Sequence, residues 1–393
     1  MLVYYAFLGG NGQVSGGNYS LFTLFLLKNI LFLRKLFEIM ELWQQELSHS
    51  IRTLDDLKRF SFIDFPLILE EVSQVLPIRI TPHTVSLIDW KDPHDPLLQM
   101  CFPTEQELSI QPFEREDPIG DHVYEPVPFV THRYPNRALI HLTNSCAQHC
   151  RFCFRRCRQR TGLIEPESFA KALDYFREHS EVQEIILTGG DPFLLSDQQI
   201  IHTLSALASI SSLKRLRLHT RIPVVLPSRI TQTLMEGMVK ACKGKPFTIV
   251  THFNHVRELA EENKKAIKIM LSSGIGVKNQ NVLLRGVNDS VSALTDLYTS
   301  LAGEGVELYY VHQLDLAKGT NHFRVSIEKG LSLMKELREK KFPFALPKYM
   351  LDLPGGGGKV DLESSSVTSL GEGVYEIINF CGKFFQYEDP GVL

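Results

Sequence analysis

Ala138-Leu139-Ile140-His141-Leu142, followed shortly by Cys146-Ala147-Gln148-His149-Cys150-Arg151-Phe152-Cys153, is the stretch around which the rest of the chain can be read. A short, mostly apolar run reads as a buried strand. Directly after it stand three cysteines, spaced by three and then by two residues. Three thiolates at that spacing can wrap one face of an iron–sulfur cube. Such clusters usually take four Cys, so three leave one iron open to another ligand. The same residues could instead form a structural zinc site, with Cys157 as fourth ligand and His149 as a further donor. Zinc sites of that kind pair two Cys knuckles far apart in sequence, and no second knuckle is present.

Outward from this loop the chain has a rhythm. The apolar or β-branched runs Ala138–Leu142, Glu184–Leu187, Arg215–His219, Phe247–Thr251, Val277–Leu284 and Glu307–His312 alternate with helical patterns. These helical patterns include Pro166–His179, Arg229–Ala241, Val256–Ser273, Ser290–Ala302 and Val325–Lys340. Strict alternation predicts a parallel sheet with crossover helices. Six units predict an α/β fold of the partial (β/α)6, TIM-like barrel type rather than a full eight-unit barrel. In such barrels the chemistry sits on the loops after the strands, and the unusual residues fall there. The Cys loop follows the first run and Gly189-Gly190-Asp191 the second. His219-Thr220-Arg221 follows the third, His252-Phe253-Asn254-His255 the fourth, and Asp315 the sixth.

Composition narrows the function classes. The chain has 393 residues, 44% apolar and 22% charged, with a formal net charge of −3. That balance argues against nucleic acid as main partner, because phosphate binding needs a basic face. Four of the seven cysteines cluster, which points to a metal or redox site in a reducing compartment, the cytoplasm, rather than to a disulfide scaffold. The run Leu21–Phe37 is apolar but holds Lys28, Asn29, Arg34 and Lys35, short of the ~20 clean residues a span needs. No stable membrane association is expected, and Met40 reads as the native start. The expected divisions are an apolar segment 1–39, a helical and irregular region 40–130 with a helix over Trp43–Phe60, a core barrel 131–345, and a lysine loop with C-terminal tail over 346–393.

The second unusual stretch is Asp352-Leu353-Pro354-Gly355-Gly356-Gly357-Gly358-Lys359. A phosphate-binding P-loop would need Gly at 353 and Ser or Thr at 360, where Leu and Val stand. Four glycines can also be a plain linker. They equally let a backbone approach a flat ring or phosphate, and a Lys presented there can form a Schiff base with an aldehyde cofactor.

The C-x3-C-x2-C loop with Phe152 before its last Cys resembles the radical S-adenosylmethionine superfamily. With Pro354–Lys359 added, it resembles the lysine 2,3-aminomutase family within it. His132-Arg133-Tyr134-Pro135-Asn136-Arg137, Val282–Asp289 and His322-Phe323-Arg324 match as well, so the likeness runs over roughly residues 95–359. It implies a [4Fe-4S] cluster on Cys146, Cys150 and Cys153, S-adenosylmethionine on its open iron, and pyridoxal 5′-phosphate bonded to Lys359. Arg133 and Arg137 would contact the phosphate, with Tyr134 between them. Arg155 would hold the carboxylate of an L-lysine substrate, and Asp315 and Asp352 its distal ammonium. Phe152, Gly189, Gly190, Asp191, His252 and Gln280 would line the S-adenosylmethionine site. The resemblance further implies an isomerase that forms β-lysine, an external electron donor and a homodimer.

The sequence Cys150–Arg156 and Tyr309-Tyr310-Val311-His312 resemble the branch that supplies β-lysine for elongation factor P, whereas Pro354–Lys359 resembles the free-lysine branch. Other readings stay open at this level. They are an aminomutase of the same fold for another amino acid such as glutamate, a zinc-stabilised binding module, and a transaminase. Arg155 also opens the basic run Arg155–Arg160, and an Asp after a strand can be a helix cap.

Overall fold

The computed structural model describes residues 41–57, 68–157, 162–340 and 342–392. The apolar run Leu21–Phe37 and the expected start at Met40 lie outside the described residues. By internal contacts the chain divides between Gln45 and Glu46, and the sheet and the site described below belong to the second unit.

Nine strands form one sheet in sequence order: β1 (Val130–Tyr134), β2 (Arg137–Thr143), β3 (Glu184–Gly189), β4 (Arg215–His219), β5 (Phe247–Thr251), β6 (Gly276–Val282), β7 (Glu307–His312), β8 (Lys348–Leu353) and β9 (Gly358–Asp361). β2 to β8 run parallel, while β1 and β9 add antiparallel edges. The six runs read from the sequence are β2 to β7, and β4, β5 and β7 agree with them residue for residue. The alternation reading did not include β8, a seventh parallel strand that carries Asp352. Because crossover helices cover the sheet, strands such as β3 are buried along their whole length.

Helices Pro166–Glu178, Gln232–Ala241, Glu261–Ser272, Val291–Gly303 and Ile327–Glu339 lie where the periodicity puts them, each within a few residues. Asp197–Ala208 joins them, started by Ser196, whose side chain accepts from Gln199 N. The helix expected over Trp43–Phe60 is shorter and broken, with turns at Leu42–Ser48 and Leu54–Leu57. Residues 58–60 lie outside the described residues. After β9 the chain forms a three-stranded antiparallel meander, β10 (Val367–Gly371), β11 (Val374–Ile378) and β12 (Phe384–Glu388), strands not among the runs read from the sequence.

Two features of the fold position the site. The region before β1 shares a hydrophobic cluster with the strand ends, in which Ile78, Ile80, Leu97, Leu98 and Met100 pack with Phe152, Leu284, Leu314 and Phe323. It therefore covers the mouth where the loops converge. The two sheet edges also meet, since the Lys359 N–H of β9 donates to the Tyr134 hydroxyl of β1 at 2.7 Å.

Candidate active site

The Cys loop is held from both sides. Glu107, from the covering region, accepts two hydrogen bonds from Arg151, at 2.8 and 2.6 Å, and pairs with Arg156. All three side chains are buried, and Arg156 also donates to the carbonyls of Arg151 and Gly319. On the barrel side, β3 ends at Gly189 and Gly190 follows, two glycines that nothing larger could replace. A Cβ on Gly189 would lie 2.1 Å from the Thr143 carbonyl, and one on Gly190 2.2 Å from that of Ser145. The strand end thus presses directly on the start of the Cys loop. Asp191 follows, its carboxylate accepting from Phe193 N, Arg221 N and the Thr220 hydroxyl. Burial pushes this carboxyl up to about 6 against those hydrogen bonds.

Burial raises the Cys146 thiol well above its ordinary pKa, with Cys153 and Cys150 adding to the shift. Burial and then Cys150 raise that of Cys153. The three sulfurs are therefore within electrostatic reach of one another. The charges acting on Cys157 are instead Arg156, Glu116, Lys318 and Glu114. His149 spends Nδ1 on the Pro77 carbonyl at 2.8 Å. Among the described residues no group of His, Cys, Asp and Glu closes on a single ion. Cys146, Cys150 and Cys153 have no disulfide partner, and three such thiols fit a cluster that leaves one iron open.

Phe152 packs edge-on to His252 (5.8 Å between centroids) and to Phe323 (6.2 Å). Burial, then Arg221, lowers His252 to about 3, so its ring is neutral, and its Nε2 is buried without a partner. Gln280 stands in β6 opposite Tyr310 of β7.

The second half of the site surrounds Lys359. The glycine loop before it is a built turn, not a linker. Gly356 (φ 85°) and Gly358 (φ 87°) have left-handed backbones. A Cβ on Gly356 would meet the Tyr124 ring at 2.5 Å. The Tyr124 hydroxyl donates to the Gly356 carbonyl, and the Asn379 amide to that of Gly357. Lys359 pairs with Asp352. Burial alone would lower its pKa, but Asp352, then Asp315 and Tyr134, raise it, so the amine is an ammonium. Burial and then Asp352 raise the Asp315 carboxyl to about 7. Arg324 fixes the backbone here by donating to the carbonyls of Leu314 and Asp315. His312 lies 3.8 Å from Asp352. His219 is kept neutral by burial first, then by Arg217, Lys359, Arg155 and His312.

Three arginines belong to the same site. Arg155 donates to the Thr188 hydroxyl (3.2 Å) and the Gly189 carbonyl (3.1 Å), and lies 3.9 Å from Asp121. Arg133 pairs with the same Asp121 at 3.0 Å and donates to the Ile119 carbonyl. Arg137 lies over the Tyr134 ring and 4.0 Å from Glu184. In all three, Nε–H is buried without a hydrogen bond, as it also is in Arg156, Arg221 and Arg324. A lysine beside unfilled guanidinium donors fits pyridoxal phosphate.

The residues singled out in the sequence therefore fall into two groups, one around the thiols and one around the lysine with its carboxylates. Reading the sequence missed Glu107, Asp121 and Glu258. Asp121 sits in irregular chain, and Glu107 in a one-turn helix, where the only signal is its capping box with Thr104. Arg221 was noticed at a strand end, but its contact with Cys150 was not.

The family model "Radical SAM superfamily" matches residues 140–297. The chain is similar to the L-lysine 2,3-aminomutase of Methanococcus maripaludis, with 38% identity over 88% of this chain and 81% of that one. It is similar to that of Clostridium subterminale, with 36% identity over 88% and 84%. It also resembles the glutamate 2,3-aminomutase of Clostridioides difficile, with 35% identity over 82% and 76%. The chain belongs to the lysine 2,3-aminomutase family of radical S-adenosylmethionine enzymes, isomerases whose cofactors are a [4Fe-4S] cluster, S-adenosylmethionine and pyridoxal phosphate.

Proposed function

We propose that this protein is a lysine 2,3-aminomutase that converts L-lysine to β-lysine by moving the amino group from C2 to C3. The observation that carries the reading is the pairing of Asp352 with an ammonium, that of Lys359, with Asp315 beside it, its carboxyl raised to about 7 by burial and then by Asp352. When bound, the cluster with S-adenosylmethionine supplies a hydrogen-abstracting radical, and pyridoxal phosphate supplies the aldehyde that carries the migrating nitrogen.

The chain's own part is positioning and exclusion of water. Arg155 holds the substrate carboxylate in a bidentate grip, oriented by Thr188 and Asp121. Asp315 and Asp352 hold the distal ammonium. With L-lysine bound, two ammoniums face two carboxylates, and no buried charge is left unmatched. Arg133, Arg137 and Tyr134 anchor the phosphate, and Asp352 keeps the proton-bearing Nζ of Lys359 in place. Phe152, Phe323 and neutral His252 wall the space beside the thiols. The proposal includes an external one-electron donor and a homodimer.

A second reading, an aminomutase for glutamate, has in its favour the 35% identity to an enzyme of that name. Asp315 and Asp352 weigh against it, because they would repel an acidic side chain. Anaerobic turnover of L-lysine and of L-glutamate, with reductant and the full cofactor set and with products resolved by chiral chromatography, separates the two. β-Lysine alone is expected, and its handedness distinguishes a free product from one made for elongation factor P. β-Glutamate without β-lysine overturns the lysine reading.

A further inference from the structure

Arg221 follows β4, and its chemistry points away from the substrate. One guanidinium nitrogen, Nη1, lies 2.7 Å from Cys150 Sγ. The other terminal nitrogen pairs with Glu258. Neither side chain is free to turn elsewhere. The Arg221 backbone N–H donates to Asp191 at 2.8 Å, and its guanidinium lies 5.4 Å from the Phe152 centroid. The Glu258 carboxylate accepts from Asn254 N and His255 N at 2.6 and 3.2 Å. Arg221 is 9% exposed and Glu258 4%. A buried, net-neutral pair is thus built with one N–H directed at one of the three thiols.

We propose that Arg221 is a positioning residue that donates a hydrogen bond to the Cys150 thiolate when it ligates the cluster, and so raises the cluster's reduction potential. Reduction adds one electron, taken from the external donor, and the added negative charge spreads onto the cysteine sulfurs. A donor aimed at one sulfur stabilises the reduced form more than the oxidised form. Glu258 neutralises the guanidinium and fixes its direction, so the effect comes from a directed N–H rather than from net charge. The inference rests on the cluster and not on which amino acid is the substrate.

The test is an anaerobic redox titration of the reconstituted protein, followed by electron paramagnetic resonance of the reduced cluster, without lysine. It compares wild type, Arg221→Lys, Arg221→Met and Arg221→Met/Glu258→Gln. The Met variant removes the donor and leaves Glu258 unneutralised. The double variant removes the donor alone. The expected order of potentials is wild type and Lys highest, the double variant lower, and the Met variant lowest. A tenfold smaller reduced-to-oxidised ratio at fixed potential would be a 59 mV shift for this one-electron couple. Equal potentials in wild type and the double variant overturn the proposal. If the Met variants bind no iron while Arg221→Lys does and keeps the wild-type potential, the donor requirement is upheld. If all three variants fold but bind no iron, Arg221 is only a scaffold, and the proposal is overturned.

Discussion

The thiol end and the lysine end of the cleft are both buried and both polar, yet they are stabilised in opposite ways. Around the thiols, charge is settled within the protein. Glu107 serves Arg151 and Arg156, and Glu258 serves Arg221. Around Lys359 the charges depend on one another and on what enters. Asp352 holds Lys359, and burial, then Asp352, raises the Asp315 carboxyl. A scaffold for a permanent inorganic group is finished before the group arrives, whereas a site for an exchanging substrate is completed by it. Both ends need glycine, Gly189 and Gly190 where strand presses on loop, and Gly356 and Gly358 in the turn that carries Lys359.

The largest expected effect is at the finished end. Glu107→Ala leaves two guanidiniums buried without a counter-charge, a loss of about 3–5 kcal/mol. Thermal unfolding should show a clear fall in Tm, and iron content after reconstitution should fall with it. An unchanged Tm would mean that the network is not what holds the Cys loop.

At the substrate end, Asp352→Asn should spare iron content and cost roughly 2–5 kcal/mol of substrate recognition, read as a fall in kcat/KM for L-lysine. Loss of iron in this variant would erase the contrast between the two ends.

A smaller effect is a pH slope. Burial and Asp352 raise the Asp315 carboxyl from its ordinary 3.8 to about 7. Between those values the native state binds more protons than the unfolded chain, so this group makes stability fall as pH rises through that window. Urea unfolding of the cofactor-free protein from pH 5 to 8 should show the fall. Asp315→Asn should flatten it, most visibly as a gain relative to wild type above pH 7. A slope unchanged by the substitution would show that Asp315 is ionised in the native state throughout.

The smallest effect concerns the glycine turn. Asn379→Ala removes the 2.9 Å bond to the Gly357 carbonyl, worth about 1 kcal/mol. Pyridoxal phosphate should bind about fivefold more weakly, with iron content unchanged.

The barrel was legible because its signals are local. Arg215–His219, Phe247–Thr251 and Glu307–His312 announce themselves by apolar runs, and strand ends flag the loops that matter. The Cys triad and Lys359 were legible because their spacing is itself chemistry. β8 is hidden because Lys348–Leu353 falls within the span 346–393 assigned to the lysine loop and tail, and the meander of β10 to β12 because its short strands lack a helix between them. The supporting groups were hidden for another reason. Arg151 and Glu107 are 44 residues apart in sequence, and Arg221 and Cys150 are 71 apart. Lone charged residues look like surface until the fold buries them together.

One measurement asks whether the two ends serve a single reaction. β-Lysine formation from L-lysine is followed anaerobically with all cofactors for wild type, Cys150→Ala and Lys359→Ala. Wild type should form β-lysine. Cys150→Ala should form none while still binding pyridoxal phosphate, and Lys359→Ala none while still carrying a full complement of iron. β-Lysine from either variant at the wild-type rate, or none from fully loaded wild type, would contradict the account.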